Sequence, residues 1–363
     1  MAKYKPAHLK RMNTRLVFQE FCNNDGNLFV NEIARRTKIS APTIVKIVDF
    51  LLEKQLIEAR DGLSDAAVGR KPNLLGLKRK YFLAGVIYEG DYVTLGITDL
   101  SGKILHARQT RCGSRFEECL PEEIDKLLAE QNREARDLVG IGVGLPCIYN
   151  DETREITAPL MGIDSPKYFG GAIDRLSEKY GAKIVVGNDL NMQAFGEYSS
   201  LPQSQKQDLI FISLGTGLGA GIIIDGKIRK GSRYICGEIG YMRFDYSENR
   251  DDCIEERINA DALKNVFGTG WATDGKVASI ELVSRYLAVI INNLIVCYDA
   301  PRMVLNGYVI EALGSCVLEE IQKKLDKICF KPIEIKAASC AFPGISGAAL
   351  LAGGLWLDEI FHA

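Results

Sequence analysis

The sequence predicts an α/β fold of two lobes with a cleft between them, preceded by a small winged helix-turn-helix domain. Three observations predict this fold. Short helical patterns fill the first eighty residues, strand and helix patterns alternate from Tyr81 onward, and a glycine-rich strand pair lies near the middle of the chain. The length of 363 residues also exceeds that of one typical core, which favours two or three domains.

The composition is that of a soluble globular protein, with 47% hydrophobic and 25% charged residues. No uninterrupted apolar run approaches about 20 residues, and the start of the chain lacks the apolar core of a signal peptide. We therefore expect a cytoplasmic protein with no membrane partner. The ten cysteines have no CxxC spacing, and His8, His106 and His362 lie outside the glycine-rich centre. Neither a disulfide framework, nor a zinc site, nor histidine catalysis is predicted.

The charge is distributed unevenly along the chain. Residues 1–80 contain 16 Lys and Arg against 8 Asp and Glu, whereas the remainder contains 29 basic and 39 acidic residues. A basic head on an acidic body indicates a polyanionic partner for the head. A merely solvated basic surface explains the same balance, so charge alone leaves both interpretations open.

Three helices are predicted in the head. The first begins after Asn13, which has a capping side chain, and ends near residues 24–26. The second covers residues 30–37. After a short turn, Ser40 caps a third helix that has Pro42 in its first turn. The apolar positions that we expect to be buried are Val17, Phe18, Phe21 and Cys22 in the first helix, and Ile44, Ile47, Val48, Leu51 and Leu52 in the third.

Two helices, a tight turn and a further helix form the helix-turn-helix arrangement, whose last helix enters the major groove of DNA. A three-helix interaction bundle is the alternative. Residues 56–77 favour DNA, because two strand-like ends enclose a polar loop as in a wing. The side chains expected to contact DNA are short, polar or cationic, namely Ser40, Ala41, Thr43 and Lys46 on the third helix, and Arg70 and Lys71 at the tip of the wing.

The body is predicted to contain two α/β halves. Four alternate glycines, at positions 215, 217, 219 and 221, lie in the strand pair that opens the second half. Glycines spaced in this way let backbone N–H groups approach a phosphate. The predicted elements are a hairpin over residues 82–105 with a turn at 99–102, buried strands over 138–149 and 183–190, the glycine-rich pair over 209–228, a helix over 278–299, a strand over 302–309 and a small-residue helix over 344–357.

A set of motifs, the first at the wing and the others in the body, occurs in a family-specific order. They are "GRKPNLLGL", "DLSGKIL", "GIGVGLP", "VVGNDLNMQAFGE", "LGTGLGAGIIIDGKI", "GEIGY", "CIEERINADAL" and "GISGAALLA". With them the chain resembles the ROK family of repressors, open reading frames and sugar kinases, and within it the repressor branch that carries an N-terminal winged helix-turn-helix. The resemblance covers essentially the whole chain and implies an actin-like, hexokinase-like fold of two lobes.

The resemblance also implies domain boundaries. The winged helix-turn-helix domain is expected over residues 1–80 and the ROK domain over residues 81–363. The first lobe of the ROK domain is expected over about 81–187 together with the C-terminal helix at about 345–363. The second lobe is expected over about 188–344.

The resemblance implies a sugar site in the cleft. It places sugar contacts at Asn188, Asp189, Glu238, Tyr241, Glu255 and Gly162, with Asp189 in the position of the kinase base. A carboxylate at the end of a buried strand, at the mouth of a cleft, is well placed for general-base chemistry in any such fold. The alternative is that residues 188–191 only cap the helix that follows them.

The chain departs from the kinase pattern at the phosphates. The family motif Asp-x-Gly-Gly-Thr aligns with residues 87–91, where Ile87 replaces the metal-orienting aspartate. Glu89 and Asp91 would repel the phosphates of ATP. We therefore assign no catalytic residue, and we interpret the glycine-rich turn as a vestigial phosphate loop, composed of Gly215, Thr216, Gly217 and Gly219.

The zinc site found in most members of the family also lacks its ligands. Tyr241 stands in place of the family histidine, and Cys253 is the one cysteine left in the shortened cysteine segment. A tetrahedral zinc site cannot be completed by one thiolate without the histidine. No metal and no cofactor are predicted.

The resemblance thus implies a sugar-responsive transcriptional regulator, a repressor of carbohydrate metabolism genes, with no enzymatic activity. Its partners would be operator DNA, a monosaccharide or sugar phosphate effector, and a second copy of the chain in a homodimer. An ATP- and Mg²⁺-dependent sugar kinase with an attached DNA-binding domain is the alternative. A DNA-binding protein with a vestigial, ligand-blind body is the third possibility.

Overall fold

The computed structural model describes residues 6–24, 28–60, 74–112, 116–249 and 252–362. Within these described ranges, the head contains three helices and two antiparallel strands, in which Ile57 lies opposite Leu77. Leu28 adds an isolated bridge to this strand pair at Leu75. These elements are α1 (Pro6–Asn23), α2 (Val30–Thr37), α3 (Ala41–Glu53), β1 (Ile57–Arg60) and β2 (Leu74–Leu77).

Two expectations about the head are confirmed and one is wrong. Ser40 is the N-cap of α3, with Pro42 in the first turn, and Lys38 forms the preceding turn in the left-handed conformation. Helix α1, however, begins at Pro6 and not after Asn13. Its first turns are stabilised by tertiary contacts that sequence periodicity does not reveal, since Arg11 bonds His362 and Arg15 pairs with Asp358 at 2.6 Å.

The first lobe is built on a mixed five-stranded sheet. Three antiparallel strands form a meander, and two further strands add parallel to the first of them, so that the order is β10-β6-β3-β4-β5. A small three-stranded sheet and two helices accompany it. The elements are β3 (Phe82–Glu89), β4 (Tyr92–Thr98), β5 (Ile104–Arg111), α4 (Phe116–Glu130), β6 (Leu138–Leu145), β7 (Ile148–Asn150), β8 (Glu155–Ala158), β9 (Ile163–Tyr168), α5 (Gly170–Tyr180) and β10 (Lys183–Asn188).

The second lobe repeats a five-stranded sheet, in the order β13-β12-β11-β14-β15. The glycine-rich pair forms its antiparallel centre, with Ser213 opposite Gly219. The elements are α6 (Asp189–Ser200), β11 (Leu209–Leu214), β12 (Leu218–Ile224), β13 (Lys227–Ile228), α7 (Glu255–Ile258), α8 (Ala260–Phe267), α9 (Lys276–Tyr298), β14 (Arg302–Asn306), α10 (Tyr308–Leu313), α11 (Ser315–Ile328), β15 (Ile335–Ala337) and α12 (Pro343–His362).

Helix α12 connects the first lobe to the head. Its small residues let it lie directly on the first sheet and on α6, and a Cβ at Gly347 would lie only 1.9 Å from the Met192 carbonyl oxygen. At its other end, Phe361 packs against Phe18 of α1 and Phe50 of α3, with ring centroids 6.0 and 6.5 Å apart. The head is therefore docked on the body through the end of α12.

Helices α9 and α12 are long and apolar enough to cross a membrane by length and composition. Their apolar side chains are explained by packing, because both helices bury one face in the protein interior. In α9 these residues, such as Val283 and Leu287, belong to the core of the second lobe.

One disulfide corrects the expectation for the cysteines. Cys112 and Cys119 are bonded, with Cα atoms 5.9 Å apart. The end of β5 and the first turn of α4 bring the two residues together. The sequence did not indicate this bond, because the two cysteines are seven residues apart and form no CxxC motif. Among the other cysteines, Cys147 and Cys253 are buried as expected of small apolar residues, whereas Cys297 and Cys316 are exposed.

Candidate functional site

The centre of the candidate site is the junction between β10 and α6. Asn188 ends the strand and caps the helix, because its Oδ1 accepts a hydrogen bond from the Asn191 backbone N–H at 3.0 Å. Its Nδ2 donates to the Cys147 carbonyl oxygen at 3.3 Å. Asn188 therefore caps the helix, as predicted, and its contact with a sugar stays a prediction.

Asp189, the first residue of α6, is a half-buried carboxyl at the helix N-terminus. Burial, as the largest cause, and the nearby carboxylates Glu89 and Glu238 together raise its pKa to about 7, although backbone N–H groups at the helix start act in the opposite direction. At neutral pH this group therefore exists in both protonation states. The ionised form can accept a hydrogen bond from a ligand hydroxyl, and the protonated form can donate one to it.

Glu238, Glu255 and Tyr241 lie close to one another. Burial raises the pKa of Glu238, and the Glu255 carboxylate adds to this effect. The pKa of Tyr241 is raised by burial and by the same two carboxylates, although the side chain is 68% exposed. The structure thus brings together four of the six residues predicted to contact sugar, namely Asp189, Glu238, Tyr241 and Glu255.

Gly162 is placed differently. It ends the short turn Pro159–Met161 before β9, with φ +72°, and a Cβ there would meet no atom within 4 Å. The left-handed backbone explains a glycine at this position. Its role in a sugar site stays a prediction.

Other groups of the protein fill the space around the glycine-rich turn. Glu255 Oε2 accepts a hydrogen bond from the Leu218 backbone N–H at 2.6 Å, and the Gly215 N–H donates to the Gly217 carbonyl oxygen at 2.9 Å. A Cβ at Gly217 would lie 3.0 Å from Glu255 Oε2, and one at Gly219 would lie 2.4 Å from the Leu190 side chain. Close packing therefore accounts for these two glycines without a phosphate, while Thr216 is exposed at the tip of the turn.

The opposite wall of the cleft carries residues 87–91, which we predict to correspond to the phosphate turn of the kinases. Ile87 is only 3% exposed and packs with Met192 and Ala348. Glu89 follows it, and the pKa of Glu89 is raised by desolvation and by Glu311, a residue of α10 in the second lobe. Glu311 belongs to none of the motifs in the sequence, and its position near Glu89 is seen only in the folded structure.

The head presents a second candidate site on α3. Ser40, Ala41 and Lys46 are exposed and Thr43 is half-buried, with the two hydroxyl oxygens of Ser40 and Thr43 2.8 Å apart. The opposite face of α3 is buried in the core of the head. Residues Arg70 and Lys71 lie outside the described residues. The arrangement leaves the predicted contact face of α3 free to meet another molecule.

A metal site is not formed by the described residues, since no three His, Cys, Asp or Glu side chains there are grouped to hold an ion. Cys253 is buried and Tyr241 is exposed. The absence of a metal and of a cofactor stays a prediction for the whole chain.

Comparisons with known proteins agree on one family. The chain is 20% identical over 344 residues to the xylose repressor of Bacillus spizizenii, covering 87% of both chains. It is 24% identical over 339 residues to the DNA-binding transcriptional dual regulator NagC of Escherichia coli, covering 84% of this chain and 82% of the relative.

A solved structure extends the likeness to the head. It is that of a ROK family transcriptional regulator, a homologue of the E. coli MLC protein, with 17% identity, a TM-score of 0.78 and 98% of both chains covered. This likeness confirms a fold in which a small N-terminal helical domain is followed by the two-lobed body. The ROK family profile itself matches residues 83–355. The chain belongs to the ROK family.

Proposed function

We propose that this chain is a sugar-responsive, DNA-binding transcriptional regulator that represses carbohydrate metabolism genes. The observation that carries the proposal is the combination of an exposed α3 face on the head with a cleft whose phosphate turn is replaced by buried Ile87 and by Glu89. Two similar proteins are named as a xylose repressor and as a transcriptional regulator.

The proposed DNA contacts lie on α3 and on the wing. Ser40, Ala41 and Thr43 are short enough for the helix to approach base edges, and Lys46 can meet a phosphate. We assign Arg70 and Lys71 to the wing tip on sequence grounds alone. The excess of basic residues in the first eighty residues supports a polyanionic partner for the head.

The proposed effector binds among the carboxyl groups of Asp189, Glu238 and Glu255. Each of these carboxyls accepts hydrogen bonds from hydroxyl groups. Burial raises the pKa of each carboxyl, and a neighbouring carboxylate adds to each shift: Glu238 acts on Asp189, Glu255 on Glu238, and Glu256 on Glu255. A phosphate would add negative charge to this cluster. We therefore propose an uncharged monosaccharide in preference to a sugar phosphate.

We also propose an oligomeric state, a cellular location and domain boundaries. We propose a cytoplasmic homodimer, because a two-fold operator requires two recognition helices about one helical turn (roughly 34 Å) apart. The boundaries 1–80 and 81–363 are proposed for the two domains. Analytical ultracentrifugation of the full chain tests the dimer directly, and a monomer at micromolar concentration would contradict it.

A sugar kinase is the second candidate function, and one observation favours it. The pKa of Asp189, raised to about 7, suits a general base. Against it stand Ile87, which has no group to orient a metal or phosphate, and the pair Glu89 and Glu311, which places two carboxylates where phosphates would lie. Loss of phosphoryl transfer is therefore our proposal.

The DNA-binding part is tested by selecting sequences from a random DNA pool with the full chain and measuring their affinity by fluorescence anisotropy. Lys46→Ala is expected to weaken binding and to reduce the slope of log affinity against log salt by about 1. Lys264→Ala, an exposed lysine on α8, is the matched control. Failure to select any sequence would contradict the proposal.

The sugar-binding part is tested by thermal-shift measurements with monosaccharides and their 6-phosphates, because a ligand that binds the folded state raises its melting temperature. An uncharged sugar is expected to stabilise the wild type and not Asp189→Ala. Stabilisation by no sugar would favour the ligand-blind alternative. Phosphorylation of a sugar by the wild type with ATP and Mg²⁺ would favour the kinase.

A further inference from the structure

The disulfide between Cys112 and Cys119 has no part in the function proposed above. It joins the end of β5 to the first turn of α4, with the two Cα atoms 5.9 Å apart. Both residues are half-buried, so each retains some access to solvent. In the cytoplasmic location that we propose, thiols of low molecular weight keep most cysteines reduced, and the disulfides that do form are usually transient or redox-sensing. An accessible disulfide is also reduced more easily than one sealed in a core.

Helix α4 is held in place by contacts that do not involve this bond. Its inner face buries Phe116, Ile124 and Leu127 in the core of the first lobe. Near the middle of the helix, Glu123 pairs with Arg108 of β5 at 2.7 Å. Apolar burial of this kind supplies most of the free energy that stabilises a helix in a folded protein. Breaking the disulfide therefore leaves the lobe folded, as a reversible switch requires.

The cysteine on the β5 side contacts the turn that joins β3 to β4. The Cys112 backbone N–H donates to the Asp91 carbonyl oxygen at 2.9 Å. The neighbouring Arg111 pairs with the Asp91 carboxylate, also at 2.9 Å. In the same turn, Glu89 is close enough to Glu311 of the second lobe for the two carboxyls to interact. A displacement of Cys112 would therefore move a turn that lines the cleft.

The cysteine on the α4 side is connected to the same region by an aromatic pair. Cys119 lies in the first turn of α4, which begins at Phe116. The Phe116 ring packs edge-on against Tyr88, the residue before Glu89, with ring centroids 5.2 Å apart. Both rings are buried, so a shift of one displaces the other. The disulfide thus joins two elements that each contact residues 88–91.

We propose that Cys112 and Cys119 form a reversible redox switch, whose oxidation state determines how firmly β5 and α4 hold residues 88–91 at the wall of the cleft. The bonded form is the one seen in the structure. In the dithiol form the two elements are no longer joined, and the turn between β3 and β4 keeps only its non-covalent contacts. The proposal does not depend on DNA binding or on the identity of the sugar effector.

The switch operates by thiol–disulfide exchange with a thiol of low molecular weight. The thiolate attacks one sulfur of the bond, giving a mixed disulfide and one cysteine thiolate, which takes up the proton that the attacking thiol lost. A second thiol breaks the mixed disulfide in the same way and leaves as the oxidised low-molecular-weight disulfide. Two electrons and two protons thus pass to the protein, and an excess of the oxidised disulfide reverses both steps.

The exchange is tested by equilibrating the full chain in buffers of reduced and oxidised glutathione that cover the cytoplasmic range. Free thiols are then trapped with N-ethylmaleimide, and mass spectrometry of the peptides gives the reduced fraction of Cys112 and Cys119. Both are expected to change together, from less than about 10% reduced in the most oxidising buffer to more than about 90% in the most reducing one. A bond that stays intact in every buffer, or thiols that never pair, would overturn the proposal.

The coupling to the cleft is tested by hydrogen exchange of the same protein in its oxidised and reduced states. Amides of residues 88–92 and of the first turn of α4 are expected to exchange at least about threefold faster after reduction, whereas those of β11 in the second lobe keep their rates. If reduction leaves the exchange of residues 88–92 unchanged, the bond has no hold on the cleft and the switch is overturned.

Two double variants assign the response to this pair of cysteines. Cys112→Ser with Cys119→Ser is expected to exchange like the reduced wild type in every buffer, and exchange like that of the oxidised protein would contradict the proposal. Cys297→Ser with Cys316→Ser, at exposed positions of α9 and α11, is the matched control and should keep the wild-type response. A response lost in this control would belong to the surface cysteines and overturn the proposal. If the first variant does not fold, the comparison of oxidised with reduced wild type decides the question.

Discussion

Asp189 is the residue whose chemistry depends most on the fold. Its carboxyl has an ordinary pKa of 3.8, which burial and the neighbouring acids raise to about 7. The folded state therefore favours the protonated form. The stabilising contribution of this group is fully present below the unfolded pKa and is lost as the pH rises through about 7.

Asp189→Asn is expected to make the protein more stable than the wild type at alkaline pH. The free energy of unfolding of the variant, relative to that of the wild type, should increase by roughly 1–3 kcal/mol between about pH 4 and pH 8. This range is smaller than the full pKa shift would give, because the carboxyl retains some solvent access. Urea unfolding of both proteins at several pH values measures it. The exposed Asp164→Asn is the control, and a stability difference that does not vary with pH would contradict the electrostatic account.

Ile87 is the residue that we predict to replace the aspartate of the kinase phosphate turn. Ile87→Asp is expected to destabilise the protein by about 3–5 kcal/mol, because a carboxylate would be buried against Met192 and Ala348. Ile87→Val, which keeps the apolar contact, should cost about 1 kcal/mol. Denaturant unfolding gives both values. An Ile87→Asp variant as stable as the wild type that phosphorylates a sugar would show that the cleft is still built for phosphates.

Helix α12 is held against α6 by close contact between the two backbones. A Cβ at Gly347 would meet the Met192 carbonyl oxygen at 1.9 Å and the Gly196 nitrogen at 2.7 Å, whereas a Cβ at Gly354 would meet nothing within 4 Å. Gly347→Ala should therefore lower stability by about 3 kcal/mol or more, through displacement of α6 from α12. Gly354→Ala should raise it by about 0.5–1 kcal/mol through helix propensity. Thermal unfolding of the pair tests the packing, and equal effects would contradict it.

The same helix is expected to hold the head in place. Phe361 is in contact with Phe18 and Phe50, so Phe361→Ala should weaken this docking by about 1–3 kcal/mol. Hydrogen exchange should then become faster in α1 and α3 and remain unchanged in the second lobe. Leu355→Ala, at a half-exposed position of α12, is the control. Unchanged exchange in the head would show that α12 does not secure it.

Local patterns predicted most elements of the molecule because each is encoded in a short stretch. The buried stripe of α3, the cap at Ser40 and the strands of the wing follow from periodicity and turn chemistry. The predicted start of α1 was wrong because the side chains of Arg11 and Arg15 bond to residues of α12, some 340 residues away along the chain. The bond between Cys112 and Cys119 likewise depends on how β5 meets α4.

The site was predicted less completely than the fold. Motifs brought Asp189, Glu238 and Glu255 to one cleft, but they did not show that Glu255 would bond the glycine-rich turn, nor that Glu311 would face Glu89. These features arise from distances between lobes, which a linear pattern does not contain.

The whole molecule combines a docked head, a two-lobed body and a cleft rich in carboxyl groups. Helix α12 extends from α6, whose first residue is Asp189, to the head that carries α3. A change of lobe arrangement on sugar binding would therefore have a physical route to the proposed DNA-contacting face of α3. The central claim is that a sugar bound at Asp189 changes the affinity of the head for DNA.

The most direct test is the dissociation constant for a selected operator, measured by fluorescence anisotropy with and without the monosaccharide that stabilises the protein. The account predicts that the sugar changes the affinity of the wild type by at least about fivefold and leaves that of Asp189→Ala unchanged. An operator affinity that no sugar alters, or one altered equally in Asp189→Ala, would contradict it.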